Sequence, residues 1–317
     1  MWSRRRWLTG MGALGLAAAG CQRKAPQALR VGAQTFPGYE FVYLARELRL
    51  FSDDAIRLIE VPNATSSIRA LGSQSMEGAC LTLDEVLTAR ERGIALTIVA
   101  VLDFSNGADA LMARPDIKDL KNLKGRKVGV EKTALGAVML DAALEKAGLS
   151  ASDVSLTHAV FDEHEDLFSS GKVDALVTYE PLKSKLLKQQ AVPLFSSADV
   201  PGLILDTIAI RTEALDDFAG AIRQLVSAHF QARDAWMTAP AQHAPLLAQR
   251  LQLGVSDIPE AYAELELPDR AGNQTLLAGR NPPLLQTARK LGDVMVKSGL
   301  LRDPPQLDRL LDPRFIG

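Results

Sequence analysis

Two cysteines, four histidines and an aromatic content of 5% leave this 317-residue sequence little material for several chemistries. Cys21 and Cys80 form no Cys-x-x-Cys pair, and His158, His229 and His243 are scattered without partners at ligand spacing. There is no HExxH, no GxSxG and no phosphate-binding loop, so zinc peptidases, α/β-hydrolase-type esterases and P-loop nucleotide hydrolases have no signal here. No charge of one sign dominates, with 36 Lys and Arg against 38 Asp and Glu. Nucleic-acid binding needs clustered Lys and Arg and has no electrostatic case. Beyond the first twenty residues no segment approaches the roughly 20 apolar residues that cross a bilayer. No internal repeat or low-complexity tract is present.

What is present begins with an address. Arg4, Arg5 and Arg6 precede a short apolar run from Leu8 to Ala19, and Ala18-Ala19-Gly20 lead into Cys21. That is the layout of a secretory signal, residues 1–20, ending at a small-residue cleavage site. The LAAAGC segment resembles a bacterial lipobox with Ala18 where Leu is commoner, which implies cleavage before Cys21 and lipidation there. An ordinary signal peptide or an uncleaved anchor are the alternatives. Ser3-Arg4-Arg5-Arg6-Trp7-Leu8 also resembles the twin-arginine export pattern. Removing three arginines leaves 33 basic against 38 acidic residues, so the net charge moves from −2 to −5. With Cys21 lipidated, Cys80 has no disulfide partner, and its apolar setting reads as a buried inert thiol. Residues 21–28, with Pro26, read as a tether between lipid and fold.

The remainder is longer than one core usually organises, so two lobes are expected. Strand-like and helix-like patterns alternate, the mark of an α/β chain with largely parallel sheets. Strands are expected at Leu29–Ala33, Ile56–Val61, Gly78–Thr82, Leu96–Leu102 and Ala108–Ala113. Phe41, Leu44, Ala45 and Leu48 follow the spacing of a one-sided helix. A new block opens at Lys127–Val130, with a helical face through Leu140, Ala143, Leu144 and Ala147 that Gly148 ends. Further strands follow at Val154–Val160, Val173–Tyr179 and Val192–Phe195; from Ile204 the chain is strand-like again, and after Glu213 it reads as helices. We expect residues 29–114 and 204–317 to form lobe 1 and residues 115–203 to form lobe 2. Two crossings between them would make a hinge. The tail from Pro304 to Gly317 reads as a wrap along the surface.

Three groups of segments carry a family likeness. They are Gly38 to Glu47, Leu123 to Val130, and Gly171 to Ala175 followed by Glu180-Pro181. A helical tail containing Asn273 and ending in Leu307 to Phe315 also fits. Together they resemble the type II periplasmic solute-binding proteins of the nitrate/sulfonate/taurine group, which includes binders of thiamine-precursor pyrimidines. The likeness implies two α/β lobes, the second inserted in the first, with ligand in the cleft between them. It also implies a monomer without cofactor that delivers a small molecule to the permease and ATPase of an ABC importer. One enzyme branch resembling this fold makes a thiamine pyrimidine with a histidine and a cysteine-rich motif, and this sequence has no such cysteine cluster. A sensory module reporting to a membrane signalling protein is a second alternative.

Elementary physics reaches the same cleft, because ligands of open α/β sheets sit beyond the carboxyl ends of strands. Thr65-Ser66-Ser67 and Thr133 place hydroxyls and free N–H groups at helix starts, either to hold a ligand oxygen or as plain caps. Phe36, Tyr39, Phe104 and Tyr179 could sandwich a flat ligand, or simply close a core. Asp84, Asp103, Glu131, Glu180 and Asp206 fall at or beside the same turns, whereas no Lys or Arg does. A ligand anion roughly 5 Å from one carboxylate would be repelled by about 3 kcal/mol at an effective dielectric near 20. A helix start returns only about 0.3 to 2 kcal/mol. The expected ligand is therefore neutral or cationic and nitrogen-bearing, such as a pyrimidine; an oxyanion is the alternative. Asp162-Glu163-His164-Glu165-Asp166 is the densest set of metal-binding side chains, but neighbours on a helix diverge, so a water-facing first turn is expected and no metal.

Overall fold

The computed structural model describes residues 27–317; the expected signal segment, Cys21 and most of the expected tether lie outside the described residues. The chain runs β1 (Leu29–Ala33), α1 (Glu40–Glu47), β2 (Ile56–Glu60), α2 (Ala64–Gly72), β3 (Gly78–Thr82), α3 (Leu83–Glu91), β4 (Leu96–Ser105) and β5 (Asp109–Ala113). It continues with β6 (Lys127–Val130), α4 (Ala134–Ala147), β7 (Ser155–His158), α5 (Phe161–Ser169), β8 (Ala175–Tyr179), α6 (Leu182–Lys188) and β9 (Val192–Ser196). The last part holds β10 (Leu205–Arg211), α7 (Ala219–Thr238), α8 (Pro240–Leu251), α9 (Ile258–Ala263), β11 (Leu265–Glu266), α10 (Arg270–Leu277) and α11 (Pro283–Lys297).

Two separate sheets result, ordered β11-β4-β10-β3-β1-β2 and β7-β6-β8-β5-β9. In the first, β1 lies parallel to β2 and β3, while β10 is antiparallel to both β3 and β4. All five residues of β3 are buried, and β4 is buried along nearly its whole length, so both faces of these strands are covered by helices. In the second sheet β6 is parallel to β7 and β8, and β5 is antiparallel to β8 and β9. Strand period 2 divides β5 between two cores: Leu111 and Ala113 pack with Val128 and Met139, and Ala110 and Met112 pack with Phe168 and Leu176. The sequence reading set β5 in the first lobe, before the crossing; its ladder bonds put it in the second sheet.

The chain passes from the first sheet to the second between Ser105 and Asp109 and returns between Ser196 and Leu205. Hydroxyls knit these crossings together. Ser105 Oγ and Ser197 Oγ are 2.7 Å apart, Ser197 Oγ accepts from the Gly107 N–H at 2.7 Å, and the Ser105 N–H donates to the Ile204 carbonyl at 3.0 Å. Gly107 has φ +128°, a conformation closed to residues with a Cβ. Gly148, with φ +69°, ends α4. The C-terminal tail departs from the expected surface wrap: Leu310, Phe315 and Ile316 are buried, and the Ile98 N–H donates to the Leu310 carbonyl at 2.7 Å. It fills the edge of β4 that two-residue β11 leaves unpaired. No helix among the described residues is long and apolar enough to cross a membrane.

Candidate functional site

Strand ends of both sheets converge on one small cavity. From the first sheet come Gln34 just past β1, Phe36 and Tyr39 in the following turn, Thr82 at the end of β3, Glu85 in α3, and Asp206 on β10. Facing them are Asp109 at the start of β5, Glu131 and Thr133 between β6 and α4, Leu135, and Tyr179 at the end of β8; Ile204 closes one side. The room open to the centre of a water molecule is about 20 Å³, enough for one or two waters.

Local chemistry fixes each wall. The Thr133 hydroxyl accepts from the Gly136 N–H at 3.1 Å, capping α4. Glu85 reaches back to the Thr82 N–H at 2.9 Å in a capping box, which pins its carboxylate beside the cavity. The Tyr39 hydroxyl donates to Asp206 Oδ1. Phe36 meets the edges of Tyr39 and Tyr179 at 5.3 and 6.0 Å, and Tyr179 stacks on Phe161 with centroids 4.1 Å apart. Contacts between the halves hold the gap shut. Gln34 Nε2 donates to the Tyr179 hydroxyl at 3.2 Å, the Leu135 N–H donates to Asp84 Oδ2 at 3.0 Å, and Asn63 Nδ2 donates to Asp162 Oδ1 at 2.9 Å.

Four carboxyls line the cavity and no Lys or Arg does. Burial, reinforced by neighbouring acids, pushes Asp109 and Glu131 up to about 7. Glu85 and Asp206 are raised well above the carboxylate range, again by burial first and then by Asp84 and Asp103 respectively. The side-chain amide oxygen of Gln34, Oε1, is buried without a hydrogen-bond partner among the described residues. The cavity thus presents acceptors and weakly acidic carboxyls, an arrangement suited to a guest with several N–H donors. Among the described residues no group of three His, Cys, Asp or Glu side chains gathers to hold a metal ion. Cys80 is buried in β3, and burial pushes its thiol up, away from the thiolate that nucleophilic chemistry needs.

The expected site residues divide into two sets. Phe36, Tyr39, Glu131, Thr133, Tyr179 and Asp206 line the cavity. Thr65, Ser66 and Ser67 do not, because Asn63 is the actual cap of α2 and takes the Ser66 N–H at 3.0 Å, leaving Thr65 turned to solvent. Glu180 is drawn aside to accept from the N–H and hydroxyl of Ser184 at 3.2 and 2.9 Å, at the start of α6. Asp84 points at Leu135 and the Thr82 hydroxyl, where it bridges the halves. Asp103 lies beneath the floor, 0% exposed. The sequence reading did not single out Gln34, Thr82, Glu85 or Asp109 as site residues, although three of them sit at strand ends it had named and Asp109 opens β5. Asp162 to Asp166 do form the first turns of α5 with exposed acids, but His164 turns inward to Thr178 Oγ1 at 3.1 Å.

Outside the stacked Phe161 and Tyr179 lies a second, wider cavity of about 460 Å³ between the halves. Phe161, Asp162 and Lys185 face Glu60, Pro62 and Arg250 across it. The Arg250 guanidinium covers the Tyr43 ring at 3.5 Å and pairs with buried Glu40 at 2.5 Å, so its charge is already met.

Comparison with known proteins agrees with this architecture. The family model described as "NMT1/THI5 like" matches residues 37–243, about two thirds of the chain. The "Putative aliphatic sulfonates-binding protein" of Escherichia coli (strain K12) is 28% identical over 173 residues, covering 53% of this chain and 54% of that protein. The chain therefore aligns with about half the length of that curated relative. The crystal structure of the periplasmic aliphatic sulphonate binding protein SsuA from Escherichia coli superposes with a TM-score of 0.73 at 20% identity, covering 92% of this chain and 99% of that one. The alkanesulfonate-binding protein SsuA from Xanthomonas axonopodis pv. citri bound to MOPS gives 0.73 at 19% identity, covering 91% and 99%. With two α/β halves closing on a shared cavity and a family match over most of its length, the chain belongs to the NMT1/THI5-like family and has the two-lobed type II periplasmic-binding-protein fold.

Proposed function

We propose that the protein is the solute-capturing component of an ABC-type importer and closes two lobes around a small nitrogen-bearing molecule, neutral or cationic, that offers N–H donors. The observation that carries this reading is the cavity lining: Glu85, Asp109, Glu131, Asp206 and the free carbonyl of Gln34 come from both halves, with no cationic side chain among them. An aminopyrimidine fits such a set, its ring against Phe36, Tyr39 or Tyr179 and its amino groups toward the carboxyls. Closure would be a hinge motion at the two crossings, near residues 106–108 and 197–204. The pairing of β5 with β8 and β9 supports drawing the first crossing there, ahead of residue 115. The same reading has the chain exported, tethered by lipid at Cys21, monomeric, and delivering its ligand to a permease and ATPase.

A second reading is an oxyanion binder, favoured by the printed descriptions of the sulfonate-binding relatives. Proton linkage separates the two. Carboxyls near pKa 7, such as Asp109 and Glu131, are partly protonated at neutral pH. A cationic or donor-rich guest lowers their pKa and releases protons, whereas an anion raises it and takes protons up. Titration calorimetry at pH 7 in two buffers of different ionisation enthalpy, with an aminopyrimidine, a primary amine, taurine, an alkanesulfonate and nitrate, reads that sign directly. Saturable binding of an aminopyrimidine or amine with proton release is expected. Binding confined to sulfonate or nitrate, with proton uptake, would replace the first reading by the second.

A further inference from the structure

Asp103 and Asp206 stand directly opposite one another on the antiparallel strands β4 and β10. Opposed residues of an antiparallel pair project from the same face of the sheet. A bulge follows at once: Thr207 pairs with Val101, leaving Leu102 as the extra residue and re-aiming the strand at this point. Asp206 lines the cavity and accepts from the Tyr39 hydroxyl. Asp103 is 0% exposed, and neither of its oxygens has a hydrogen-bond donor among the described residues. The groups that face the two carboxyls from the surrounding elements are Tyr39, Cys80, Glu85, Asp109, Tyr179 and Tyr262. All are acids or neutral, so among the described residues no cation offsets two adjacent negative charges.

We propose that Asp103 does not meet the ligand but is a positioning residue: it shares a proton with Asp206 beneath the cavity floor, and so sets how much of Asp206 faces the guest as carboxylate. A buried carboxyl with no donor is costly as an anion and far less so as a proton-sharing acid. Asp206, opposite it on β10, can complete such a bond for Asp103. Burial raises both acids; Asp103 raises Asp206 further, whereas a hydrogen bond from protonated Asp206 acts to lower Asp103, as expected if Asp206 is the proton donor of the pair. When a nitrogen-bearing guest arrives, the pair gives up its proton to solvent and Asp206 becomes the counter-charge. The role rests on the ligand class proposed above, but the shared proton does not, and it can be tested without any ligand.

The experiment is a carboxyl ¹³C NMR titration of the ligand-free protein labelled at aspartate, with Asp103→Asn and Asp206→Asn used to assign the two resonances. The wild type is expected to show the pair titrating in two separated steps, the upper one near or above neutral pH. In Asp103→Asn the amide donates to Asp206, so the Asp206 midpoint should fall by about one pH unit or more. Two aspartates titrating together in the ordinary range in the wild type would overturn the proposal, as would an Asp206 midpoint unmoved by Asp103→Asn. The wild-type titration alone decides the matter if Asp103→Asn fails to fold. Failure to bind any nitrogenous compound, with the two-step titration intact, would sink the ligand reading and leave the shared proton standing.

Discussion

Gln34 Nε2 donates to the Tyr179 hydroxyl at 3.2 Å, joining the end of β1 to the end of β8 across the gap between the sheets. It is one of several polar contacts between the halves, with Leu135 to Asp84, Asn63 to Asp162, and the Lys183–Glu264 and Lys188–Asp257 pairs. Each such bond contributes about 0.5 to 1.5 kcal/mol net. A closed state held by a few kcal/mol is one that a guest with comparable differential affinity can switch.

Tyr179→Phe removes this bond and keeps the ring stacked on Phe161. The ligand-free protein should then populate an open form more heavily, seen as a larger radius of gyration in solution scattering. Affinity for any ligand bound to the closed form should fall about fivefold, the equivalent of about 1 kcal/mol. Identical scattering profiles for the variant and wild type would mean that the bond does not help hold the halves together.

The fold was largely legible because buried strands and one-sided helices write their period into the sequence. Leu29–Ala33 and Lys127–Val130 end where the apolar pattern ends. The site was legible only in part. Which strand end a residue occupies is a one-dimensional fact, but depth and aim are not. Asp103 reads as a cleft acid until pairing with Asp206 and the following bulge put it below the floor. Thr65 reads as a cap until Asn63, two residues earlier, takes the helix start. Glu180 reads as a ligand group until Ser184, one helical turn on, claims its carboxylate. For Asp103 the strand register decided the outcome; for Thr65 and Glu180 it was a neighbour taking part in the local hydrogen bonding.

Lys183 gives a second prediction. Its side chain is 6% exposed, its ammonium donates to the Gly107 carbonyl at 3.0 Å, and it pairs with Glu264, joining α6 to the first crossing and to the segment before β11. Lys183→Met leaves the partly buried Glu264 unpaired and should cost about 2 to 4 kcal/mol in urea unfolding. Lys188, also on α6, pairs with Asp257 across the gap but is 59% exposed, so Lys188→Met should cost less than about 1 kcal/mol. Equal losses in the two variants would refute the distinction drawn from burial.

Stability should also depend on pH through Asp109 and Glu131, both raised to about 7 by burial. A carboxyl whose pKa rises on folding holds its proton more tightly in the folded state. The stability it contributes is full below about pH 4, the unfolded value, and is lost as the pH rises through about 7. The melting temperature of the ligand-free protein should therefore decline between about pH 5 and 8, and Glu131→Gln, which cannot ionise, should flatten that decline. A slope identical to wild type in Glu131→Gln would show that Glu131 does not titrate as described.

Gly38 supplies the last test, because its close approach to Asp103 leaves no room for a side chain. A Cβ built on Gly38 would lie 1.7 Å from Asp103 Oδ2 and 2.6 Å from its carboxyl carbon. Asp103 is short, wholly enclosed and anchored on β4, so it cannot swing clear as an exposed lysine would. Gly38→Ala should therefore cost about 1 to 3 kcal/mol, the range of overpacked cores. Asp103→Ser shortens the obstructing group, and the double variant should lose less than the two single losses combined, a coupling of about 0.5 kcal/mol or more between touching residues. Strict additivity in urea unfolding would mean that the two positions are not in contact, and the floor of the cavity would have to be drawn without Asp103 directly beneath Gly38.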